Sequence, residues 1–174
     1  MPILADDMDS HATVNPYGFS AKRIDKLTAT EYTLVAIAVD RSGSISSFET
    51  ALVNCLGEIV KACRRSPRAD NLMLRAISFD DRIEEIHGFK PLSEIDLTAY
   101  AGAVVPRGST SLFDATVNAI ESVTNYGKDL VAADFACNGI VFVLTDGLDN
   151  MSRVSGSGAG ALITGARKNE TLES

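Results

Sequence analysis

Positions 34–39 read LVAIAV, apolar without interruption, and the run ends at Asp40. A strand with one wet face alternates apolar and polar residues, so this run predicts a strand over about 32–39 that is covered on both faces. A second strand is predicted over 72–79 and a third, fully apolar, over 139–144. Between them the spacing becomes helical. Phe48, Leu52, Val53, Leu56, Ile59, Val60 and Cys63 recur at helical intervals, and Ser46-Ser47-Phe48-Glu49 has capping-box spacing. Pro67 closes that helix, since a proline disfavours helical geometry at the residue before it. From Thr110, the residues Leu112, Ala115, Val117, Ile120 and Val123 mark a second helix with Gly127 as its expected stop, and 129–136 predict one more short helix.

The remaining segments carry weaker patterns. Asp80-Asp81 marks a tight turn into an edge strand over 83–87, where Arg82, Glu84 and Glu85 suit exposure and Gly88 loosens the end. Residues 90–107 are broken by Pro91, Gly102 and Pro106, with one or two helical turns expected over 93–101. Residues 1–17 lack periodicity and predict a mobile leader, and 19–30 predict a short helix through Ile24 and Leu27. Helices alternating with buried strands give an α/β fold, with a doubly wound, mostly parallel sheet, one antiparallel edge strand and right-handed crossovers. The expected plan is a partly disordered leader over 1–30 and one domain over 31–174.

Candidate chemistry sits where the first strand stops. Asp40, Ser42 and Ser44 form a D-x-S-x-S series, and an oxygen-rich loop at the carboxyl end of a parallel strand is a natural ligand or metal site. Gly108-Ser109-Thr110-Ser111-Leu112 and Thr145-Asp146-Gly147 follow in order, the latter directly after an apolar strand. Taken together, the three segments resemble the metal-ion-dependent adhesion site (MIDAS) of von Willebrand factor type A (vWA) domains, over roughly 31–151. Taken singly, each has a plainer reading: Asp40, Ser42 or Thr110 as a helix cap, and Asp146-Gly147 as a turn.

The resemblance implies a Rossmann-like fold and a metal held by Asp40, Ser42, Ser44, Thr110 and Asp146, in some cases through water. These are hard oxygen donors, which suit Mg²⁺, with Mn²⁺ or Ca²⁺ as alternatives. It further implies a protein partner that offers a Glu or Asp to the metal, such as an AAA+ ATPase or a member of a multi-protein complex. Members of the family continue through further strands, whereas no strand is visible after Val154. The domain is therefore expected to lack the last strands of the family fold, leaving the 140–144 strand at an open edge. A second polypeptide, another copy of the chain or a continuation would cover it.

Composition narrows the function. A net charge of −7 and a pI near 4.8 oppose a general nucleic-acid or anionic-membrane surface. The tight basic pair Arg64-Arg65 falls at a helix end, where it complements the helix dipole. Cys55, Cys63 and Cys137 are odd in number and read as free thiols, hence a reducing, cytoplasmic setting. His11 and His87 are isolated and read as solvated or incidental, and Asp80, Asp81 and Asp149 as solvated loop carboxylates. Gly156-Ser157-Gly158-Ala159-Gly160-Ala161 matches a dinucleotide fingerprint but does not follow a strand, so it reads as a loop. Two competing functions remain. One is a Mg²⁺-dependent phosphohydrolase with Asp40 as nucleophile, although Ser42 stands where such enzymes place a second Asp. The other is a metal-independent scaffold that pairs through its open sheet edge.

Overall fold

A computed structural model describes residues 7–13, 16–41, 49–102 and 111–145. Six strands, β1 (Met8–His11), β2 (Phe19–Lys22), β3 (Glu31–Asp40), β4 (Leu72–Phe79), β5 (Ile83–Pro91) and β6 (Ala136–Leu144), form one sheet in the order β1-β2-β5-β4-β3-β6. Helix α1 (Glu49–Arg64) follows β3, and helix α2 (Leu112–Ala132) precedes β6. β3 pairs in parallel with β4 on one side and β6 on the other.

The uninterrupted apolar run of β3 is explained by its two covered faces. Val35, Ile37 and Val39 share a core with Leu56 and Val60 of α1, while Leu34, Ala36 and Ala38 share one with Ala115, Ala119, Ile120 and Val123 of α2. Alternate residues of one strand thus face opposite helices, which is the doubly wound arrangement. Each fully buried Leu, Ile or Val contributes roughly 1.5–3 kcal/mol relative to exposure. At its carboxyl end α1 is tied down by Arg64, whose Nη2 donates to the carbonyls of Leu92 (3.1 Å) and Ile95 (2.6 Å). The segment 92–100 holds two 3-10 turns, Leu92–Glu94 and Leu97–Tyr100.

Several expectations are corrected. β5 is antiparallel to β4 as expected but is longer and is not the edge. β2 pairs with it in parallel at Ala21↔Phe89, and β1 closes that side as an antiparallel strand against β2. Residues expected as a mobile leader and a short helix therefore supply two strands, with only a single 3-10 turn at Ile24–Lys26. Glu85 is buried rather than exposed: its Oε2 accepts from Arg75 Nε at 2.8 Å and from the Ser20 amide at 3.0 Å. Arg75 also donates to Asn118 Oδ1 of α2 at 2.8 Å, so this buried charge pair joins β2, β4, β5 and α2. Gly88 marks the close passage of β2, because a Cβ there would collide with the Ser20 carbonyl.

Gly127 does not stop α2. The helix runs on as one element to Ala132, and Tyr126, whose hydroxyl donates to the Lys22 carbonyl at 2.7 Å, and Leu130 are buried on either side of it. Packing outweighs the roughly 1 kcal/mol cost of a helical glycine. Ala133 caps the helix and Asp134 beyond it takes a positive φ of 68°, so the separate short helix expected over 129–136 does not form: 129–132 are the last turn of α2 and Ala136 opens β6.

The two histidines are also placed differently from expectation. His87 is buried against the Tyr100 hydroxyl, and His11 stacks on Phe19 with ring centroids 4.7 Å apart. Cys55, Cys63 and Cys137 are free thiols. Among the described residues β6 is the terminal strand, Phe142 is 40% exposed on it, and no helix is long and apolar enough to cross a membrane. Residues 146–174, including the glycine-rich 156–161 stretch and Asp149, lie outside the described residues.

Candidate functional site

The carboxyl ends of β4, β3 and β6 lie side by side, because Asp40 is in register with Phe79 and Val39 with Leu144. That register brings Asp40 beside Thr145. Asp40 is fully buried, and Thr145 Oγ1 donates to its Oδ2 at 2.8 Å. Of the five residues proposed as metal ligands, Asp40 is described; Ser42, Ser44, Thr110 and Asp146 lie outside the described residues, as does the 46–48 part of the capping box. Their immediate neighbours are described, however, and these converge. Arg41 follows Asp40, Ser111 follows Thr110 and Thr145 precedes Asp146.

Asp80 is the hub of this end of the sheet. It was expected as a solvated loop carboxylate, yet it is 1% exposed. Its Oδ2 accepts from Arg41 Nε at 3.0 Å, its Oδ1 accepts from the Arg82 amide at 2.9 Å, and its carbonyl accepts from the Ser111 amide at 2.6 Å. Arg41 is anchored in turn. Its amide donates to the Phe79 carbonyl at 2.8 Å, and its Nη1 donates to Glu84 Oε2 at 2.6 Å and to Ser78 Oγ at 3.3 Å. Burial opposes the charge on Arg41, but the bonds to Glu84 and Asp80 outweigh it and hold its pKa above the usual arginine value. Burial likewise opposes the charge on Asp80, and hydrogen bonds from the Arg82 amide, the Asp81 side chain and the Arg41 guanidinium, in that order, keep its pKa below the usual carboxylate value. The guanidinium is therefore turned toward β4 and β5 by two carboxylates.

Ser111 occupies the N-cap of α2, where a serine hydroxyl normally accepts a backbone N–H. Here it makes no such bond, and among the described residues its buried Oγ has no partner. A buried hydroxyl without a partner is costly unless another group meets it. Together with Asp40 and Thr145 it is a hard-oxygen set of the type that suits Mg²⁺, Mn²⁺ or Ca²⁺ and is unsuited to soft metals. The donors present thus fit the implied ion. No group of three or more His, Cys, Asp or Glu side chains placed to hold a metal occurs among the described residues. Thr145 was named within the third segment but not as a partner of Asp40, and Asp80 was missed as a participant because nothing local signalled it. A groove of 680 Å³, lined by Lys22, Leu27, Tyr32, Arg64, Asp70 and others, lies at the opposite, amino-terminal ends of β3 and β4.

No family model matches the chain, and no curated protein matches it. Solved structures do. Manganese-loaded TRAP protein from Plasmodium vivax is similar with a TM-score of 0.56 and 21% identity, over 83% of this chain and 57% of that one. Proximal thread matrix protein 1 from the mussel byssus is similar with a TM-score of 0.55 and 20% identity, over 82% of this chain and 35% of that one. The PilB minor pilin from Streptococcus sanguinis gives a TM-score of 0.51 and 17% identity, over 78% of this chain and 36% of that one. This chain spans from about a third to somewhat over half of the length of those proteins. At such identities the likeness shows a common fold: the chain shares with them an α/β architecture built on a mostly parallel sheet with an antiparallel edge strand, the class expected from its sequence.

Proposed function

We propose that the chain is a protein-binding module of vWA type that docks a partner through a divalent cation. In this reading Asp40, Ser42, Ser44, Thr110 and Asp146 hold Mg²⁺, or Mn²⁺ in its place, directly or through water. When bound, such an ion supplies a hard positive centre that keeps exchangeable positions for an outside oxygen ligand. Neutral hydroxyls from Ser42, Ser44 and Thr110 leave more of its charge uncompensated than a carboxylate cage would. A Glu or Asp on the partner then completes the shell. Asp40 and Asp146 anchor the ion, and Thr145 orients Asp40 by donating to Oδ2.

The observation that carries this reading is the meeting of the flanks of all three motif segments, Asp40-Arg41, Ser111 and Thr145, at one end of the sheet. The similarity to a manganese-loaded protein is in keeping with it. Enzymatic phosphate chemistry at Asp40 is disfavoured because Ser42 replaces the second Asp and the cation next to it in sequence, Arg41, is engaged by Asp80 and Glu84. A cytoplasmic setting rests on the three free thiols; one protein of similar fold is a minor pilin, so the fold carries no preference for that compartment. An AAA+ ATPase or another member of a multi-protein complex is the partner class that the family resemblance implies.

A second reading is favoured by β6, the last strand among the described residues, with Phe142 exposed on it. There the open edge itself would pair with a second chain. A pull-down with and without chelator separates the two. Cation docking predicts that EDTA releases the bound partner and that excess Mg²⁺ restores it, whereas partner retention unchanged by EDTA favours edge pairing.

A further inference from the structure

Arg41 places a permanent positive charge on the residue next to Asp40, where it would repel a divalent cation at the site. Three observations show how the fold deals with that charge. The guanidinium is 5% exposed and so is weakly screened by water. It is paired with Asp80 at 3.0 Å and Glu84 at 2.6 Å, both on the side of β4 and β5, away from β6 and Thr145. Asp80 is itself held by the Arg82 amide, and its carbonyl receives the Ser111 amide at the head of α2. Among the described residues two carboxylates, Asp80 and Glu84, are thus paired with the one Arg41 guanidinium.

We propose that Asp80, assisted by Glu84, is a positioning residue for the cation site: it holds the Arg41 guanidinium away from Asp40 and neutralises it, so that Asp40 stays available to a divalent ion. This rests on the cation reading above. Removing the Asp80 charge frees a guanidinium to pair with its neighbour Asp40, and the ion must then compete with it. Removing Arg41 does the opposite and leaves an extra carboxylate charge beside the site.

Isothermal titration with Mg²⁺ alone tests this on the full chain, with circular dichroism melts as a check on folding. Asp80→Asn weakens Mg²⁺ by about fivefold, and Glu84→Gln, whose carboxylate is more exposed, by about twofold. Arg41→Gln leaves affinity unchanged or tightens it, and the double variant R41Q/D80N returns to within about twofold of wild type. A purely structural role for the pair predicts that Arg41→Gln weakens binding as Asp80→Asn does, and that result overturns the proposal. Equal Mg²⁺ affinity in wild type, D80N and E84Q also overturns it while leaving the cation site standing. If wild type takes up no Mg²⁺ at all, the cation reading itself fails, and this proposal with it. Should D80N fold poorly, E84Q and R41Q decide by the same opposite signs.

Discussion

Burial strips His87 of nearly all its water, and the neutral ring satisfies both of its nitrogens. Nδ1 lies 3.0 Å from the Gly88 carbonyl, to which it donates in the tautomer this network assigns, and Nε2 accepts from the Tyr100 hydroxyl at 2.7 Å. Desolvation pushes its pKa down from 6.5 to about 4. The unfolded chain takes up a proton near 6.5, so this contribution to stability is complete above that value and is lost as pH falls toward 4. At full extent it is about 3 kcal/mol. The melting temperature of wild type should fall between pH 7 and 4.5, and His87→Gln should flatten that fall; a wild-type profile that stays level would contradict the burial. Asp7 and Asp80, whose pKa values are lowered below 3.8, lose their contributions only at more acid pH, so the windows separate. Nothing adjacent in sequence announces His87, because its partner Tyr100 lies on a different turn. Asp40, by contrast, was legible: a carboxylate that ends an apolar run is visible without knowing what surrounds it. Asp80 became legible only once the fold had put Arg41 beside it.

Elements were readable wherever one physical term dominated. β4 was expected over 72–79 and runs Leu72–Phe79, and β3 runs Glu31–Asp40 against an expected 32–39, because two-sided burial writes itself into most of their residues, Arg75 and Ser78 of β4 being exceptions. β2 has no such pattern. Its four residues are all buried, but what holds them is distant: Phe89 in the ladder, and Glu85 and Arg75 in the core. Local propensity also misled at Gly127, where the packing of α2 overrides a stop signal, and at Glu85, whose charge is paired inside the sheet. The contact between β2 and β5 gives a sharp test, since Gly88 admits no Cβ beside Ser20. Gly88→Ala should cost about 1–3 kcal/mol by overpacking and should speed hydrogen exchange at Phe19–Lys22 far more than in β3. Uniform exchange rates across the two strands would show that β2 is not seated there.

At the scale of the molecule, the sheet has, among the described residues, one guarded side and one bare side. β1 and β2 extend it beyond β5, while β6 ends the other side among the described residues, with nine consecutive uncharged residues and Phe142 exposed. Natural edges are usually protected by charge or proline, and this one has neither. The chain should therefore self-associate in sedimentation at high micromolar concentration despite its net charge of −7, and Phe142→Lys should shift it toward monomer. A wild-type chain that stays monomeric under those conditions would mean that the edge is covered.

The central claim is a cation held where β3, the head of α2 and β6 meet, and its most direct test is paramagnetic broadening of amide resonances by Mn²⁺. The account predicts selective loss of signal at Asp40, Arg41, Ser111 and Thr145, absent in Asp40→Ala, with Tyr32 and Asp70 at the far end of the sheet unaffected. Broadening centred on Asp70 and Glu94, or none at any of these positions, would contradict it.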